Sequence, residues 1–200
     1  MVQHPLNQPT KLVIATGNPG KLREFSALLT DQNLQVDAMP TGLDIEETGT
    51  TFAANARLKA VAVAQATGHW ALADDSGLSV TALGGAPGVQ SARYASSDAA
   101  RIARLLRELA GAADRSARFT AALAVAAPDG TVALEVEGHC PGLILEAPRG
   151  EGGFGYDPVF FVPEAGLTFA EMDKALKGRL GHRGRAFSLL APKLEQLLVG

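Results

Sequence analysis

The sequence lacks most of the features that place a chain outside the ordinary globular proteins. Cys140 is the only cysteine in 200 residues, so no disulfide can form within the chain, and we expect a reducing, cytoplasmic setting. No stretch approaches the roughly 18 uninterrupted apolar residues that a membrane-spanning helix needs, so we expect no membrane partner. Residues 1–10 contain Pro5 and Pro9 but no apolar run, which predicts a flexible extension rather than a signal peptide.

An excess of charge of either sign is also missing. The chain has 18 Lys and Arg against 21 Asp and Glu, a formal net charge of -3. Such a balance offers no general attraction for a polyanion, so we expect no nucleic-acid partner. Apolar residues make up 46% of the chain, which is typical of a globular domain. A small anion could still bind where a few cations converge.

Apolar patterning predicts a mixed α/β fold in a single domain over residues 1–200. We expect Asp98 to cap its helix, residues 74–77 to form a turn after a strand, and Pro192 to start or bend the last helix. The turn at residues 128–130 predicts an antiparallel hairpin. Strands are predicted at residues 11–16, 35–39, 70–74, 117–127, 132–139, 142–146 and 159–162. Helices are predicted at residues 21–29, 51–67, 98–109, 168–177 and 184–199.

A turn between the first strand and the first helix is a candidate anion site. Backbone N–H groups and the positive end of the helix dipole meet there, and Lys21 adds a full charge. The spacing is not that of a Walker A loop, because Leu22 stands where Ser or Thr would hold magnesium. The segment reads Thr16-Gly17-Asn18-Pro19-Gly20-Lys21.

Two acidic pairs are candidates for magnesium binding and for activating water. Glu46 and Glu47 precede the long helix, while Asp74 and Asp75 follow an apolar strand. Magnesium prefers one or two carboxylates together with phosphate and water oxygens, and attack of water on phosphorus needs a carboxylate to orient it. Two like charges at a half-buried strand end are costly unless a cation compensates them.

Two later segments are candidates for binding a planar ring. Three glycines surround Phe154, so a ring could approach the backbone and stack on that side chain. Further along, Lys177, His182 and Arg183 are three donors within seven residues, which suits a carbonyl or phosphate oxygen. The glycine-rich segment reads Gly152-Gly153-Phe154-Gly155-Tyr156-Asp157-Pro158.

Each pattern also has an ordinary structural interpretation. Strand-to-helix turns favour Gly, Asn and Pro in any protein. Acidic pairs cap turns and helix starts, a glycine-rich turn can bury its aromatic residues in the core, and a basic helix end is commonly solvated. Taken singly, none of the four patterns decides the function.

Taken in order, the segments resemble the inosine triphosphate pyrophosphatase family, the dITP/XTP pyrophosphatases that clean the nucleotide pool. The resemblance covers nearly the whole chain. It also includes Asn55 with Lys59, and this chain departs from the family pattern at Ala54 and Gly181. The matching segments are residues 16–21, 46–49, 73–77, 83–88, 91–94, 152–158 and 182–184.

The resemblance implies a two-lobed fold, a twisted sheet flanked by helices with the site in the cleft, and usually a homodimer. It also implies magnesium-dependent hydrolysis of dITP, ITP or XTP at the α–β phosphoanhydride. Asp75 would be the general base and, with Glu46, a magnesium ligand. Residues that would bind the purine nucleoside triphosphate are Thr16, Gly17, Asn18, Pro19, Gly20, Lys21, Lys59, Ser76, Phe154, Gly155, Tyr156, Asp157, Lys177, His182 and Arg183.

Two other functions remain open from the residues. A nucleotide sensor could use the same cleft without turnover, although a pure binder does not need a carboxylate that activates water. A related pyrophosphatase could act on modified pyrimidines or on ordinary triphosphates. Donors at Lys177 and Arg183 favour a purine with oxygen at position 6, whereas adenine presents an amino group there. Rejection of guanine would then depend on its 2-amino group.

Overall fold

One seven-stranded sheet with helices on both faces forms the protein, as a computed structural model that describes residues 9–198 shows. The strands are β1 (Thr10–Ala15), β2 (Leu34–Ala38), β3 (Trp70–Val80), β4 (Ser116–Ala126), β5 (Val132–Ile144), β6 (Phe160–Val162) and β7 (Leu167–Thr168). The helices are α1 (Pro19–Leu28), α2 (Phe52–Thr67), α3 (Asp98–Glu108), α4 (Lys174–Leu180) and α5 (His182–Leu198).

The sheet is mixed, in the order β2-β1-β3-β4-β5-β6-β7. Strand β1 pairs in parallel with β2 and β3, and every later pair is antiparallel. The mixed α/β fold is therefore confirmed, and the predicted hairpin at residues 128–130 joins β4 to β5. Thr10 already pairs with Leu34, whereas residues 1–8 of the predicted extension lie outside the described residues.

Successive side chains of β1 point to opposite faces of the sheet and into two different apolar layers. Leu12 and Ile14 pack with α1 and α5, while Val13 and Ala15 pack with α2. A third cluster surrounds Phe119 at the far half of the long strands, together with α3 and β6. Because β3, β4 and β5 run past all of these clusters, one sheet supports the whole core.

Alanine lets helix α2 lie close to the sheet. Its buried face contains Ala56, Ala60 and Ala64, which meet alanines of β3 and β4. The hydroxyl of Thr51 caps the helix start by accepting the N–H of Ala54, and Gly68 ends it in the left-handed region at φ 68°, as expected for a glycine C-cap. The close approach brings polar residues of α2 within reach of β3.

Three local predictions were wrong in the first two-thirds of the chain. Residues 74–77 are not a turn, because β3 continues to Val80 with Asp75 opposite Ala122. Ser97 rather than Asp98 caps α3, since its hydroxyl accepts the N–H of Ala100. Two strands were predicted at residues 132–139 and 142–146, but β5 is one strand that runs through Pro141. The missing N–H of Pro141 does not interrupt it, because β6 pairs only from Leu143 onward.

The predicted C-terminal helices also differ from those observed. The helix predicted over residues 168–177 is a short 3-10 turn followed by α4, which begins where Asp173 accepts the N–H of Leu176. Pro192 lies inside α5 rather than at its start. The buried side chains of Leu190 and Leu194 on either side of it hold the helix against the sheet despite the lost hydrogen bond.

Glycines allow the start of α5 to lie directly on β5. A Cβ atom at Gly138 would lie 2.2 Å from the nitrogen of Ala186 and 2.5 Å from the carbonyl oxygen of His182. A Cβ atom at Gly184 would likewise overlap the carbonyl oxygen of Gly178. The close contact brings the first residues of α5 beside the middle of the sheet. Of the described helices, none is both long and apolar enough to cross a membrane.

Candidate active site

A cavity of about 560 Å³ opens between α1, the start of α5 and the glycine-rich loop. Apolar carbon and charged groups both line it, so it suits a planar polar molecule. Among the residues that line it are Gly20, Glu24, Phe154, Lys177, His182 and Arg183. Asp74 of β3 contacts Arg183 of this cavity, whereas Asp75 pairs with Lys59 of α2 on the other side of the strand.

The turn at residues 16–21 begins helix α1 and places Lys21 against the sheet. The side-chain oxygen of Asn18 accepts the N–H groups of Gly20 and Lys21 at 2.8 and 3.2 Å, as an N-cap does. The hydroxyl of Thr16 accepts the N–H of Asn18. Since Asn18 already holds two of these N–H groups, the charge that this turn offers to a phosphate is mainly that of Lys21.

Asp74 is the buried centre of the charged groups. Its Oδ2 atom lies 2.7 Å from Nζ of Lys21 and 3.4 Å from Nε of Arg183, and it accepts the hydroxyl of Ser76 at 3.0 Å. Burial alone raises the pKa of Asp74, but Lys21 and Arg183 outweigh that effect and hold the pKa well below its usual range. Asp74 is therefore a permanent anion that joins α1, β3 and α5.

Asp75 points to the other side of β3, towards α2. Its Oδ1 atom accepts Nζ of Lys59 at 3.2 Å. Its Oδ2 atom is buried and forms no direct hydrogen bond within residues 9–198, although Asn55 lies close enough to lower the pKa of the carboxyl. Burial raises the pKa of Asp75, with Lys59 as the main opposing charge. A buried carboxylate oxygen without a partner calls for a cation or a water molecule, and a raised pKa suits a proton acceptor.

The acidic segment before α2 presents Glu47, not Glu46, to this part of the cleft. Nζ of Lys59 lies 2.6 Å from Oε1 of Glu47, while Glu46 is exposed. Buried Asn55 holds the segment in place, because its side-chain oxygen accepts the N–H of Gly49 at 2.7 Å. Adjacent residues of an extended segment point to opposite sides, so only one of the two glutamates can face inward.

The donors around Asp75 fit magnesium. Within residues 9–198 no three His, Cys, Asp or Glu side chains gather closely enough to hold a metal ion on their own. Magnesium is commonly held by one or two carboxylates, with water and substrate phosphates completing six ligands. Asp75 and Glu47, which both form ion pairs with Lys59, supply such a pair of carboxylates.

Glu24 bridges the two cations that line the cavity. Its carboxylate lies 2.7 Å from Nζ of Lys177 and 2.8 Å from Nη1 of Arg183. Burial raises the pKa of Glu24, but the two cations together lower it below its ordinary value. No motif in the sequence singles out Glu24. The available signal was its spacing, because Glu24 lies three residues after Lys21 and so on the same face of α1.

Phe154 and Asp157 form the glycine-rich side of the cavity. Nζ of Lys177 lies 4.9 Å from the ring centroid of Phe154 and 2.7 Å from Oδ2 of Asp157. The same carboxylate oxygen accepts the N–H of Phe154 at 2.9 Å. The ring also covers Gly20, where a Cβ atom would lie 2.7 Å from it. Phe154 therefore stands at the boundary between the turn at residues 16–21 and the cavity.

Tyr156 points away from the cavity. It is buried in the cluster around Phe119, and its hydroxyl donates to the carbonyl oxygen of Ser91 at 2.8 Å. The N–H of Gly155 is bonded to the Asp98 carboxylate. Both residues therefore hold the loop against the cluster around Phe119 and the start of α3, while Phe154 and Asp157 face the cavity.

His182 contributes an uncharged ring to the cavity wall. Its ring stacks on Phe119 at 4.7 Å and lies 5.9 Å from Phe169. Burial, reinforced by the charge of Arg183, lowers the pKa of His182 well below its ordinary value. Both ring nitrogens are buried and have no hydrogen-bond partner in the described part of the chain. Unbonded polar atoms at a cavity wall are suited to meet a ligand.

Fold and site together define a class: mixed α/β proteins with an acidic, lysine-rich cleft at one end and an aromatic, cationic cavity at the other. A sequence profile of the Ham1 family matches residues 12–193. The chain therefore belongs to the Ham1 family, and the resemblance read from the sequence is confirmed.

Curated relatives and solved structures agree with this assignment. A Synechococcus protein (strain CC9311) named dITP/XTP pyrophosphatase is 66% identical over 187 residues, which are 94% of this chain and 91% of the relative. A Nostoc protein of the same name is 56% identical over 94% of this chain and 95% of its own. The HAM1 protein of Coxiella burnetii, 42% identical, has a TM-score of 0.84 over 94% of this chain and 99% of that one.

The neutral His182 predicts a specific dependence of stability on pH. When the chain unfolds, this ring regains a pKa of about 6.5, so the unfolded state binds one more proton below that pH. The free energy of unfolding should therefore fall as pH drops below about 6.5, by up to about 1.4 kcal/mol per pH unit. In urea titrations at pH values from about 7.5 to 5.5, the free energy of unfolding of His182→Gln should depend less steeply on pH than that of the wild type. An equal dependence on pH in the two proteins would contradict the buried neutral ring.

Proposed function

We propose that this protein hydrolyses deaminated purine nucleoside triphosphates, ITP or dITP and XTP, to the monophosphate and pyrophosphate. The names of its close relatives support this substrate class. The observation that carries the proposal is the buried Oδ2 atom of Asp75, beside Lys59 and one residue from Asp74, which contacts Arg183 in the wall of a cavity of about 560 Å³. A proton acceptor at the phosphate end and a base-sized cavity beside it suit hydrolysis of a nucleotide.

At the phosphate end, Asp75 accepts a proton from the attacking water. Its raised pKa makes this carboxylate a stronger base than an exposed aspartate. Water attacks the α-phosphorus, the bond to the bridging oxygen breaks, and pyrophosphate leaves with the bonding electrons. Lys21 and Lys59 compensate the charge that develops on the phosphate oxygens.

Magnesium is part of the proposal. Asp75 and Glu47 would hold the ion, with substrate phosphates and water as its remaining ligands. When bound, it would neutralise phosphate charge and polarise the phosphoryl oxygens. Glu46, the ligand implied by the sequence resemblance, is exposed, and Glu47 is the glutamate on Lys59.

At the base end, donors and acceptors suit a purine with oxygen at position 6. Lys177 and Arg183 supply donors for that oxygen. Hypoxanthine and xanthine also carry an N1–H group, from which the carboxylate of Glu24 can accept a hydrogen bond. Adenine presents an amino group and an unprotonated N1, so it would leave both kinds of group without a partner. A mismatch of buried polar groups discriminates strongly between substrates.

We propose further that the protein acts as a homodimer in the cytoplasm. The family resemblance implies a dimer, and Leu143 and Leu189 are large apolar side chains that the described surface leaves exposed. Burial raises the pKa of Cys140 to about 11, so its thiol stays neutral and unreactive. This chemistry makes no use of a disulfide and is compatible with a reducing compartment.

Measuring pyrophosphate release from ITP, XTP, GTP and ATP tests the proposed function. With magnesium, kcat/KM for ITP and XTP should exceed that for ATP by about a hundredfold or more. GTP shares the 6-oxo group and the N1–H group, so a lower rate on GTP would have to come from a mismatch at its 2-amino group. A chelator should abolish release from all four. Tight nucleotide binding without any release of pyrophosphate would favour a sensor. Equal rates on ATP and ITP would contradict recognition of the purine through its 6-oxo group.

Replacing the proposed base tests the mechanism. Asp75→Asn keeps the shape of the side chain but removes its ability to accept a proton, so kcat should fall by about a hundredfold to ten-thousandfold. Calorimetric binding of ITP should change little in comparison. Asp44→Asn, an exposed aspartate, is the matched control and should keep full activity. A fully active Asp75→Asn protein would overturn the assignment of the base.

The adjacent glutamates provide a matched pair for the metal site. Glu47→Gln should raise the magnesium concentration needed for half-maximal activity by about tenfold or more, because even indirect partners of a metal matter by that much. Glu46→Gln should leave it within about twofold. Binding of Mn²⁺ measured by electron paramagnetic resonance, without substrate, should show the same order. The reverse order would assign the ligand to Glu46.

A further inference from the structure

The loop that carries Phe154 contains residues that the chain must restrain. Gly153 and Gly155 have φ angles of 74° and 63°, in the left-handed region that glycine adopts readily. Glycine also loses the most conformational freedom when it is ordered. A ring placed between two such residues keeps one position only if hydrogen bonds hold the loop on both sides.

Two carboxylates hold the two consecutive N–H groups at the centre of this loop. Asp157, within the loop, accepts the N–H of Phe154 at 2.9 Å. Asp98, 57 residues away in the chain, accepts the N–H of Gly155 through Oδ2 at 2.8 Å. Both distances are those of well-formed N–H···O hydrogen bonds, which a carboxylate or an amide oxygen can accept. Asp98 is thus the link from outside the loop to the residue that follows Phe154.

The carboxylate of Asp98 is also held in position from its own helix. Its Oδ1 atom accepts Nη1 of Arg101 at 2.6 Å, and Nε of Arg101 donates to the carbonyl oxygen of Ala95. Ser97, not Asp98, caps the N-terminus of α3. Its neighbour thus fills the capping role that the sequence suggested for Asp98, and the Oδ2 atom of Asp98 serves the loop instead.

We propose that Asp98 is a positioning residue for base recognition: it fixes the Gly153–Asp157 loop so that Phe154 stands ready to stack on the purine. This inference rests on the proposed function. Phe154 already lies against Gly20 and beside Lys177, so a small shift of the loop would move the ring relative to both the turn at residues 16–21 and the cavity. Asp98 acts on substrate through this loop and takes no part in the reaction itself.

Three substitutions separate positioning from helix stability. Asp98→Ala removes the acceptor of the Gly155 N–H. Asp98→Asn keeps an acceptor oxygen in the same place without the charge. Ser97→Ala removes the helix cap and leaves the Gly155 hydrogen bond intact, so it reports what a weaker α3 alone would do.

We expect Asp98→Ala to raise the KM for ITP and the Kd for IMP, measured by calorimetry, by about threefold to tenfold. The kcat should stay within about twofold, because the phosphate end is untouched. Asp98→Asn should restore both constants to within about twofold of the wild type, and Ser97→Ala should lower the melting temperature without raising them. In a Phe154→Ala background, Asp98→Ala should have no further effect on the Kd for IMP.

Several outcomes would overturn the inference while leaving the proposed function standing. In an active wild type, equal constants for Asp98→Ala and Ser97→Ala would show that only helix stability matters. An Asp98→Asn protein as impaired as Asp98→Ala would assign the effect to the ion pair with Arg101. Additive effects of Asp98→Ala and Phe154→Ala would show that Asp98 does not act through the ring. A wild type that neither turns over ITP nor binds IMP would overturn the proposed function, and the inference with it.

Discussion

A negative charge that almost no water reaches, on Asp74, sets the conditions for the rest of the structure. An isolated buried carboxylate costs many kcal/mol, so it must be paired with cations. Lys21 and Arg183 provide the pairing, and they arrive on α1 and α5, at opposite ends of the chain. The packing of those two helices on the sheet is therefore tied to one ion cluster. Breaking such a cluster by removing one partner commonly costs about 3–5 kcal/mol, which is a large share of the stability of a domain.

The same cluster joins the two ends of the cleft. Arg183 contacts Asp74 and Ser76 on the phosphate side and Glu24 on the base side, and Lys177 is likewise paired with Glu24 and Asp157. Without a ligand, each of these cations is already neutralised. A nucleotide that enters the cleft must therefore offer oxygen atoms good enough to compete with carboxylates for them. A base whose polar edge can replace these carboxylates as partner of the cations binds well, whereas a base that leaves a cation unpaired binds poorly.

Local signals in the sequence identify the elements whose causes are local, and fail where a distant partner decides. Helix α2 was predictable because its alanines, its cap at Thr51 and its stop at Gly68 lie within the segment itself. The continuation of β3 beyond Asp74 could not be predicted, because residues 74–77 favour a turn on their own and become a strand only through pairing with β4. Glu24 looks like any exposed helix residue until α5 delivers Arg183 to it. The choice between Glu46 and Glu47 depends on which side of an extended segment faces Lys59, and spacing alone cannot tell adjacent residues apart.

The alanine layer beneath α2 has a consequence for how such a protein can change over evolutionary time. Ala56, Ala60 and Ala64 leave no room for larger side chains, so the half of the cleft that holds Lys59 and Asp75 is locked into one arrangement. Part of the wall of the base cavity consists of exposed residues of α1 and α4, such as Arg23 and Lys174, where substitutions disturb little else. New substrate preferences can therefore arise at one end of the cleft while the reaction at the other is inherited unchanged.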